Sequence, residues 1–406
     1  MRRITLAVLV FLTVTAFGGG SAQADRGGLP AHGDRAVCNA PARFDAAACA
    51  ARVVTLPDGV TPLATTTYQA GYAPSDLQSA YGITSSSNAT VAIVDAYDNP
   101  NAESDLAAYR TQFGLGACTS SNGCFTKVNQ NGGSTMPSGN TGWGQEIDLD
   151  IEMVSAICPG CKILLVEANS NSLSDLGTAA SYAEQHAVAV SNSYGTSGEF
   201  NGETAYDGYY NHPGVAVTAS SGDSGYGVEF PAADSHVVAV GGTSLTGAPG
   251  SWSETAWNGA GSGCSSYFAA PSWQTSFFNT GCSARAEADI SAVADPNTGV
   301  AVYDSYGSTG GANWYVFGGT SVASPIIASV FALANNYPGA YPASLLYGAA
   351  QGQTSSAWPF HDVTSGSNGR CTRGGWKRAG SAQLCTAGPG WDGPTGLGTP
   401  NGTSGF

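Results

Sequence analysis

The sequence predicts an α/β fold, a doubly wound domain around a mostly parallel sheet flanked by helices. Two observations carry this. Apolar runs recur along the chain without in–out alternation, the pattern of central strands buried on both faces. Longer stretches of helical texture lie between several of them, and strand–helix alternation marks a parallel sheet. The chain has 406 residues, enough for one large domain or two ordinary ones. No internal repeat and no interdomain linker divides it, so a single domain is expected.

The elements follow in order. Met1-Arg2-Arg3, the run "ITLAVLVFLTVTAF" and an Ala-x-Ala ending at Ala24 read as a secretory signal peptide over residues 1–24, too short in its apolar part to span a membrane. Residues 25–67 are rich in Ala, Gly, Pro and Arg without periodicity and read as an N-terminal extension or short prosegment. The texture changes at "GYAPSDLQSAYGI". Strands are predicted at 90–97, 162–168, 187–195, 214–225 and 237–245. Helices are predicted over "AESDLAAYRTQFG", "GQEIDLDIEMVSAIC" and "LSDLGTAASYAEQHA". A further helix, "SVASPIIASVFALANN", opens at Ser321, with Pro325 expected in the first turn, where a missing N–H costs little. In such folds functional groups gather beyond the carboxyl ends of the strands.

Composition narrows the function. Hydrophobic residues make up 42%, enough for a sizeable core, and charged residues only 11%, against about 25% in an average domain. The net charge of −15 argues against a nucleic-acid partner, because phosphate binding needs a basic face. In acid the carboxylates neutralise and only 14 Lys and Arg remain to repel one another, so acid tolerance is expected. No second apolar run of membrane length occurs, and a soluble, exported, extracellular monomer is expected. Ten cysteines agree with an oxidising compartment. They fall as 38/49, 118/124, 158/161, 264/282 and 371/385, and nearest-neighbour pairing is the expectation. Cys158-Pro-Gly-Cys161 reads either as a clip between helix and strand or as a redox pair. A four-Cys zinc site is disfavoured, because no second C-x-x-C occurs.

Four local patterns could carry chemistry. Glu146 and Asp150 are one helical turn apart and share a face. Buried, they repel and hold a proton between them, and such a pair can act as a base where histidine is already protonated; exposed, they are a solvated helix face. Asp223, in "SSGDSG" after an apolar strand, either donates a hydrogen bond to a developing oxyanion when protonated or simply shapes a turn. Ser321, in "GGTSVASP", is a nucleophile at a helix N-terminus or a plain N-cap. Asp362 in "HDVTSGSNG" and Asp392 in "AGPGWDGPTGLGTP" offer an oxygen-only site suited to calcium, or a Gly/Asp turn.

Taken in order, "GQEIDLDIEMVSAICPGCKILLVEA", "SNSYG", "HPGVAVTASSGDSGYG", "PAADSHVVAVGGTSL", "ADPNTGVAVYD", "GGTSVASP" and "DVTSGSNG…GPGWDGPTGLGTP" resemble the sedolisin family, the serine-carboxyl peptidases, over about residues 70–406. The resemblance implies a subtilisin-like fold over residues 68–406, with a glutamate standing where subtilisins carry histidine. It implies Glu146 as general base toward Ser321, Asp150 as its orienting partner, Asp223 in the oxyanion hole and Asp95 behind the triad. Ser193, Tyr194 and Gly195 become the substrate-pairing strand. One structural Ca2+ is expected on Asp362, Asp392 and the carbonyls of Val363, Gly388 and Gly390.

The chain departs from the family in three places, one of them the harmless Gly318-Gly319-Thr320-Ser321 where the family often has Ser-Gly-Thr-Ser. Only about forty residues separate the signal peptide from the catalytic texture, whereas the family usually carries a long folded prosegment. Tyr194 stands where some relatives carry Trp. The leading expectation is an acid endopeptidase acting on protein or peptide substrates. A tripeptidyl exopeptidase on the same fold, or a catalytically silent secreted binding protein, are the alternatives. A histidine-dependent subtilisin is disfavoured, because His186, His212, His236 and His361 lie in the wrong motifs.

Overall fold

The computed structural model describes residues 32–307, 311–353, 355–371 and 382–406. The expected signal peptide lies outside the described residues. Three short strands open the chain: β1 (Asp34–Ala36), β2 (Ala48–Cys49) and β3 (Arg52–Val54). Helix α1 (Pro74–Ala80) follows, begun by its proline. The central layer is then laid down as β4 (Thr90–Ala96), α2 (Ala102–Gln112), β5 (Phe125–Asn129), α3 (Thr141–Ile157), β6 (Lys162–Ala168) and α4 (Leu173–Glu184). It continues through β7 (Ala189–Asn192), β8 (Tyr194–Gly195), β9 (Ala216–Ser220), β10 (Val238–Thr246) and β11 (Ser253–Ala256).

An antiparallel pair, β12 (Gly263–Ala269) and β13 (Ala284–Glu287), brackets the one-turn α5 (Ser272–Thr275). The chain ends with β14 (Ile290–Val293), β15 (Val300–Asp304), β16 (Asn313–Gly318), α6 (Thr320–Ala334), α7 (Pro342–Ala350), β17 (Phe360–His361) and β18 (Thr399–Pro400).

The main sheet has eight strands in the order β11-β10-β9-β7-β4-β6-β5, with β14 also on β10. From β10 to β5 every pairing is parallel, as is β14 on β10; only β11 is antiparallel. The strand order turns back on itself around β4, which makes the carboxyl end of β4 the natural place for a site. Residues Val91–Val94 are wholly buried, which explains why the run is apolar without alternation.

Two helices differ from ordinary surface helices. Residues 320–333 of α6 are buried all round, as expected of an interior helix rich in Ala, Val, Ile and Ser. Helix α3 packs on α6, and Trp143–Ile157 are all buried. The solvated acidic face open to Glu146 and Asp150 in sequence is therefore excluded. Asn140 starts α3 by accepting from the amides of Gly142 and Trp143 at 3.0 and 3.1 Å.

Sequence and structure part in three places. The run 187–195 is broken at Ser193 into β7 and β8. Pro325 sits in the second turn, because α6 already starts at Thr320. Its missing N–H frees the Ser321 carbonyl from the helical ladder, and that carbonyl accepts from Ser193 Oγ at 3.4 Å. The described residues of the unpatterned N-terminal segment form strands that no periodicity predicts: β1, β3, β16 and β15 make a four-stranded sheet, and β2 pairs with β8.

All five disulfides join nearest neighbours, at separations from 3 to 18 residues, and no described cysteine is free. Cys158–Cys161 clips the end of α3 to the start of β6. No described helix is long and apolar enough to cross a membrane.

Candidate active site

Five parts of the chain deliver the candidate residues to one place. Asp95 is the penultimate residue of β4, and Glu146 and Asp150 lie one turn apart on the buried α3. Ser193 sits at the break between β7 and β8, and Asp223 follows the end of β9. Ser321 is the second residue of α6, directly after the Gly318-Gly319 turn from β16. Asp95, Glu146, Asp150, Ser193 and Ser321 are all 0% exposed, so their charges are governed by one another and by burial.

Ser321 Oγ donates to the Ser193 carbonyl at 3.1 Å, and Ser193 Oγ donates to Asp150 Oδ1 at 2.9 Å. Glu146 stands among Asp150, Asp95 and Ser321. Burial pushes its carboxyl well above the usual range, and the charges of Asp150 and Asp95 add to this, while the Ser321 hydroxyl favours the ionised form. Neither Glu146 oxygen has a hydrogen bond of full geometry, because the single Ser321 proton is turned toward Ser193. Burial also raises Asp150, against the pull of the hydroxyl of Ser193 and of Glu146. Asp95 is raised by burial, then by Asp150 and Glu167. Several carboxyls packed without a cation hold protons in common rather than ionise together.

Asp223 lies on the other side of Ser321. Its Oδ1 accepts from the Thr320 amide at 2.8 Å and the Thr320 hydroxyl at 2.9 Å. Its Oδ2 is buried and has no hydrogen bond. Burial lifts its pKa to about 7, partly opposed by Thr320. Below that pH it carries a proton, which Oδ2 is free to donate. Gly319 has φ 99°, and a Cβ there would strike both the Ala50 carbonyl and Asp223 Oδ2. Gly319, the Ser321 amide and Asp223 thus bound a niche the size of a peptide oxygen. The Ala50 carbonyl lies in it, accepting from the Ser321 amide at 3.4 Å.

A cleft of about 350 Å³ adjoins the niche and is lined by Gly195, Asp223, Tyr226 and Glu229 among others. Glu229 was not found from sequence. It is raised to about 8 by burial, then by Asp223, and its carboxyl fills the space beside Gly195 and Gly222. The only sequence signal is a lone acid inside the apolar stretch "YGVEFPAA". Of Ser193, Tyr194 and Gly195, Gly195 lines this cleft, while Ser193 meets the Ala50 amide through its carbonyl and Tyr194 pairs with Cys49. None of the described histidines bonds to Ser321 or Glu146.

Of the residues expected to hold calcium, Asp362 and Asp392 are joined to the same loop through its amides. Asp362 Oδ2 accepts from the Gly390 amide at 3.1 Å, and Asp392 Oδ2 from the Gly388 amide at 2.9 Å. Val363 follows Asp362 directly. Asp392 Oδ1 accepts from the Thr395 amide at 3.0 Å. The two carboxyls are close enough for Asp362 to raise Asp392, and among the described residues no cation bonds to either. That donor set, all oxygen and uncompensated, fits a hard divalent cation.

Two other acidic groups have ligand atoms within 4.8 Å of one another: Asp207, Asp234 and His236, and Asp105, Asp148 and Asp304. Neither coincides with the expected calcium ligands. The first is accounted for by His236 pairing with Asp207 at 2.8 Å and Asp234 at 3.1 Å. In the second, burial raises all three carboxyls above their ordinary range.

A family model described as "Subtilase family" matches residues 123–354. Kumamolisin from Bacillus sp. (strain MN-32) is 33% identical over 336 residues, covering 74% of this chain and 56% of its own. Xanthomonalisin from Xanthomonas sp. (strain T-22) is 29% identical over 402 residues, covering 81% of this chain and 45% of its own. The chain thus spans about half the length of the curated relatives it matches. Among solved structures, Pseudomonas sedolisin, a serine-carboxyl proteinase complexed with two molecules of pseudo-iodotyrostatin, superposes with a TM-score of 0.66 at 28% identity, covering 83% of this chain and 96% of that one. By its matching family model, its relatives and its superposed fold, the chain belongs to the subtilase family, in its sedolisin group.

Proposed function

We propose that this chain is an exported serine-carboxyl endopeptidase that opens peptide bonds in acid. The observation that carries the reading is a buried serine at a helix N-terminus with no histidine near it, facing a buried Glu–Asp pair. As Ser321 Oγ attacks a peptide carbonyl, Glu146 takes its proton. Asp150, tied to Ser193, keeps Glu146 oriented and shares its proton load. The Ser321 amide and protonated Asp223 hold the oxyanion. Glu146 then gives the proton to the leaving amine, and water attacking the acyl-enzyme returns Ser321.

Endopeptidase action is favoured over release of tripeptides by the cleft itself. Chain runs through it on both sides of Ala50, and Asp45, Ala46, Ala47 and Ala48 remain hydrogen-bonded or paired to the body. A structural Ca2+ on Asp362, Asp392 and the Val363, Gly388 and Gly390 carbonyls would tie the C-terminal loops together. No proton or bond in the reaction depends on it. The five disulfides suit the exported setting.

The test is hydrolysis of an unfolded protein at about pH 4 and about pH 7.5, which bracket the carboxyl and histidine ranges. Activity in acid only is expected, reduced on the order of 10⁵-fold or more in Ser321→Ala and strongly in Glu146→Gln. Neutral activity that survives Glu146→Gln would overturn the assignment of the base.

A further inference from the structure

Helix α3 carries two carboxyl pairs, not one. Asp148 and Glu152 are spaced like Glu146 and Asp150 but lie two residues on, about 200° round the helix. The second pair therefore faces away from Ser321, toward α2 and β15, both of which pack on α3. There it meets Asp105 from α2 and Asp304 from the end of β15. One oxygen from each of Asp105, Asp148 and Asp304 lies within 4.8 Å of the other two. Asp148, Glu152 and Asp304 are 0% exposed and Asp105 2%.

Three of these carboxyls are oriented by neighbouring donors. Asp105 accepts from the Ser305 hydroxyl at 2.7 Å and the Ser305 amide at 2.9 Å. Asp304 accepts from the Tyr306 amide at 2.9 Å and from Gln145 Nε2 at 3.1 Å. Glu152 Oε2 accepts from the Tyr303 amide at 3.0 Å. Both oxygens of Asp148 and Oε1 of Glu152 stay buried without a hydrogen bond of full geometry, and buried carboxyl oxygens seldom lack a partner. Glu152 is not one of the three clustered residues, yet the charges of Asp105 and Asp304 act on it, so its unpaired oxygen points to a ligand independently. Among the described residues, no Lys, Arg or His pairs with any of the four. The other titratable groups facing them are the phenols of Tyr109 and Tyr303.

We propose that Asp105, Asp148, Glu152 and Asp304 bind a calcium ion inside the molecule, at a site separate from Asp362 and Asp392. Oxygens held about 2.4 Å from one ion stand at most about 4.8 Å apart, and the three clustered carboxyls meet that limit. Every donor is oxygen, which suits a hard cation and disfavours zinc or copper. The amides and hydroxyl that fix Asp105, Asp304 and Glu152 are the outer contacts that orient ligands. The ion ties α2 and β15 to α3 from the face opposite Glu146 and Asp150. It takes no part in peptide cleavage, so the proposal stands apart from the peptidase reading. Enclosed by buried side chains, it leaves only when the chain opens, whereas Asp362 lines an open cleft.

The experiment counts calcium by atomic emission in the full chain at about pH 7, above the ordinary carboxylate range. The chain carries Ser321→Ala to prevent self-digestion. It is exported into medium containing millimolar calcium, treated with chelator while folded, and gel-filtered. About one calcium per chain should remain, and should remain when Asp392→Asn is added. Asp148→Asn, which keeps the shape of the side chain, should retain none, and Glu152→Gln is a second variant expected to lose the ion. Should Asp148→Asn fail to fold, the counts on the parent and on Asp392→Asn still decide. A parent without retained calcium leaves the cluster to protons shared among its carboxyls and overturns the proposal. Calcium that is lost with Asp392→Asn, or kept by Asp148→Asn, overturns it equally.

Discussion

Asp223 and Glu146 are both buried carboxyls beside one serine, yet their surroundings suit opposite tasks. Asp223 has one oxygen committed to Thr320 and the other free, so its protonated form is a fixed donor aimed at the niche. Glu146 has both oxygens free of full hydrogen bonds and gains from the Ser321 hydroxyl only when ionised. With the Asp223 pKa at about 7, the donor is lost as pH rises through that value. The alkaline limb of kcat should therefore fall near neutrality. Asp223→Ala should lower kcat by about 10²–10³-fold, the usual cost of one oxyanion donor. Asp223→Asn keeps an N–H donor at every pH, so it should retain more activity and shift the alkaline limb upward. A pH–rate profile of both variants checks this, and an unchanged limb in Asp223→Asn would assign it to another group.

At the scale of elements, the site depends on how strands hand over to helices. Gly319 takes a backbone conformation closed to other residues, which lets Ser321 open α6 with its amide facing the niche. Pro325 belongs to the same device: it sets the Ser321 carbonyl free for Ser193. Farther away, the loops around β17 and β18 place Asp362 and Asp392 close enough for one carboxyl to raise the other. If Ca2+ binds there, a chelator should lower the melting temperature by about 3–10 °C, the size expected for loss of a saturating ligand. Asp392→Asn should melt like the chelated wild type and ignore the chelator. Equal melting of wild type with and without chelator would remove calcium from the description.

Across the whole molecule, the fold buries carboxyls on a scale that makes its stability depend on pH. Glu167 and Glu229 are raised to about 8, Glu184 to about 9 and Asp223 to about 7, each chiefly by burial. Each folded-state value lies above the unfolded one, so over that interval the folded chain binds more protons than the unfolded chain. Their contribution to stability is complete in acid. It declines once pH passes the ordinary carboxylate range and is lost as pH rises through about 7 to 9. The melting temperature should therefore be higher near pH 4 than near pH 8, the reverse of a protein held by surface ion pairs. Calorimetry across that range checks it, and a maximum near neutrality would contradict it. The net charge of −15 acts in the same direction, because acid discharges it.

Much of this was legible in the sequence. Unalternating apolar runs fixed the parallel strands, because burial on both faces leaves no room for a polar register. Cysteine spacing gave all five pairings, because neighbours in sequence reach each other before distant ones. The ordered motifs pointed to Glu146, Asp150, Asp223 and Ser321 as candidates, and the fold brings the four together. Other features were set only by tertiary structure. Whether the acidic face of α3 was solvated depended on α6 packing against it, which no local pattern encodes. Glu229 became part of the cleft only through its approach to Gly195 and Gly222. The segment around Ala50 carries small residues with no periodicity, and its strands exist because their backbone groups bond to β8 and β16. Sequence determines what a residue can do alone; the hydrogen bonds of a partner strand distant in the chain decide what an unpatterned segment does.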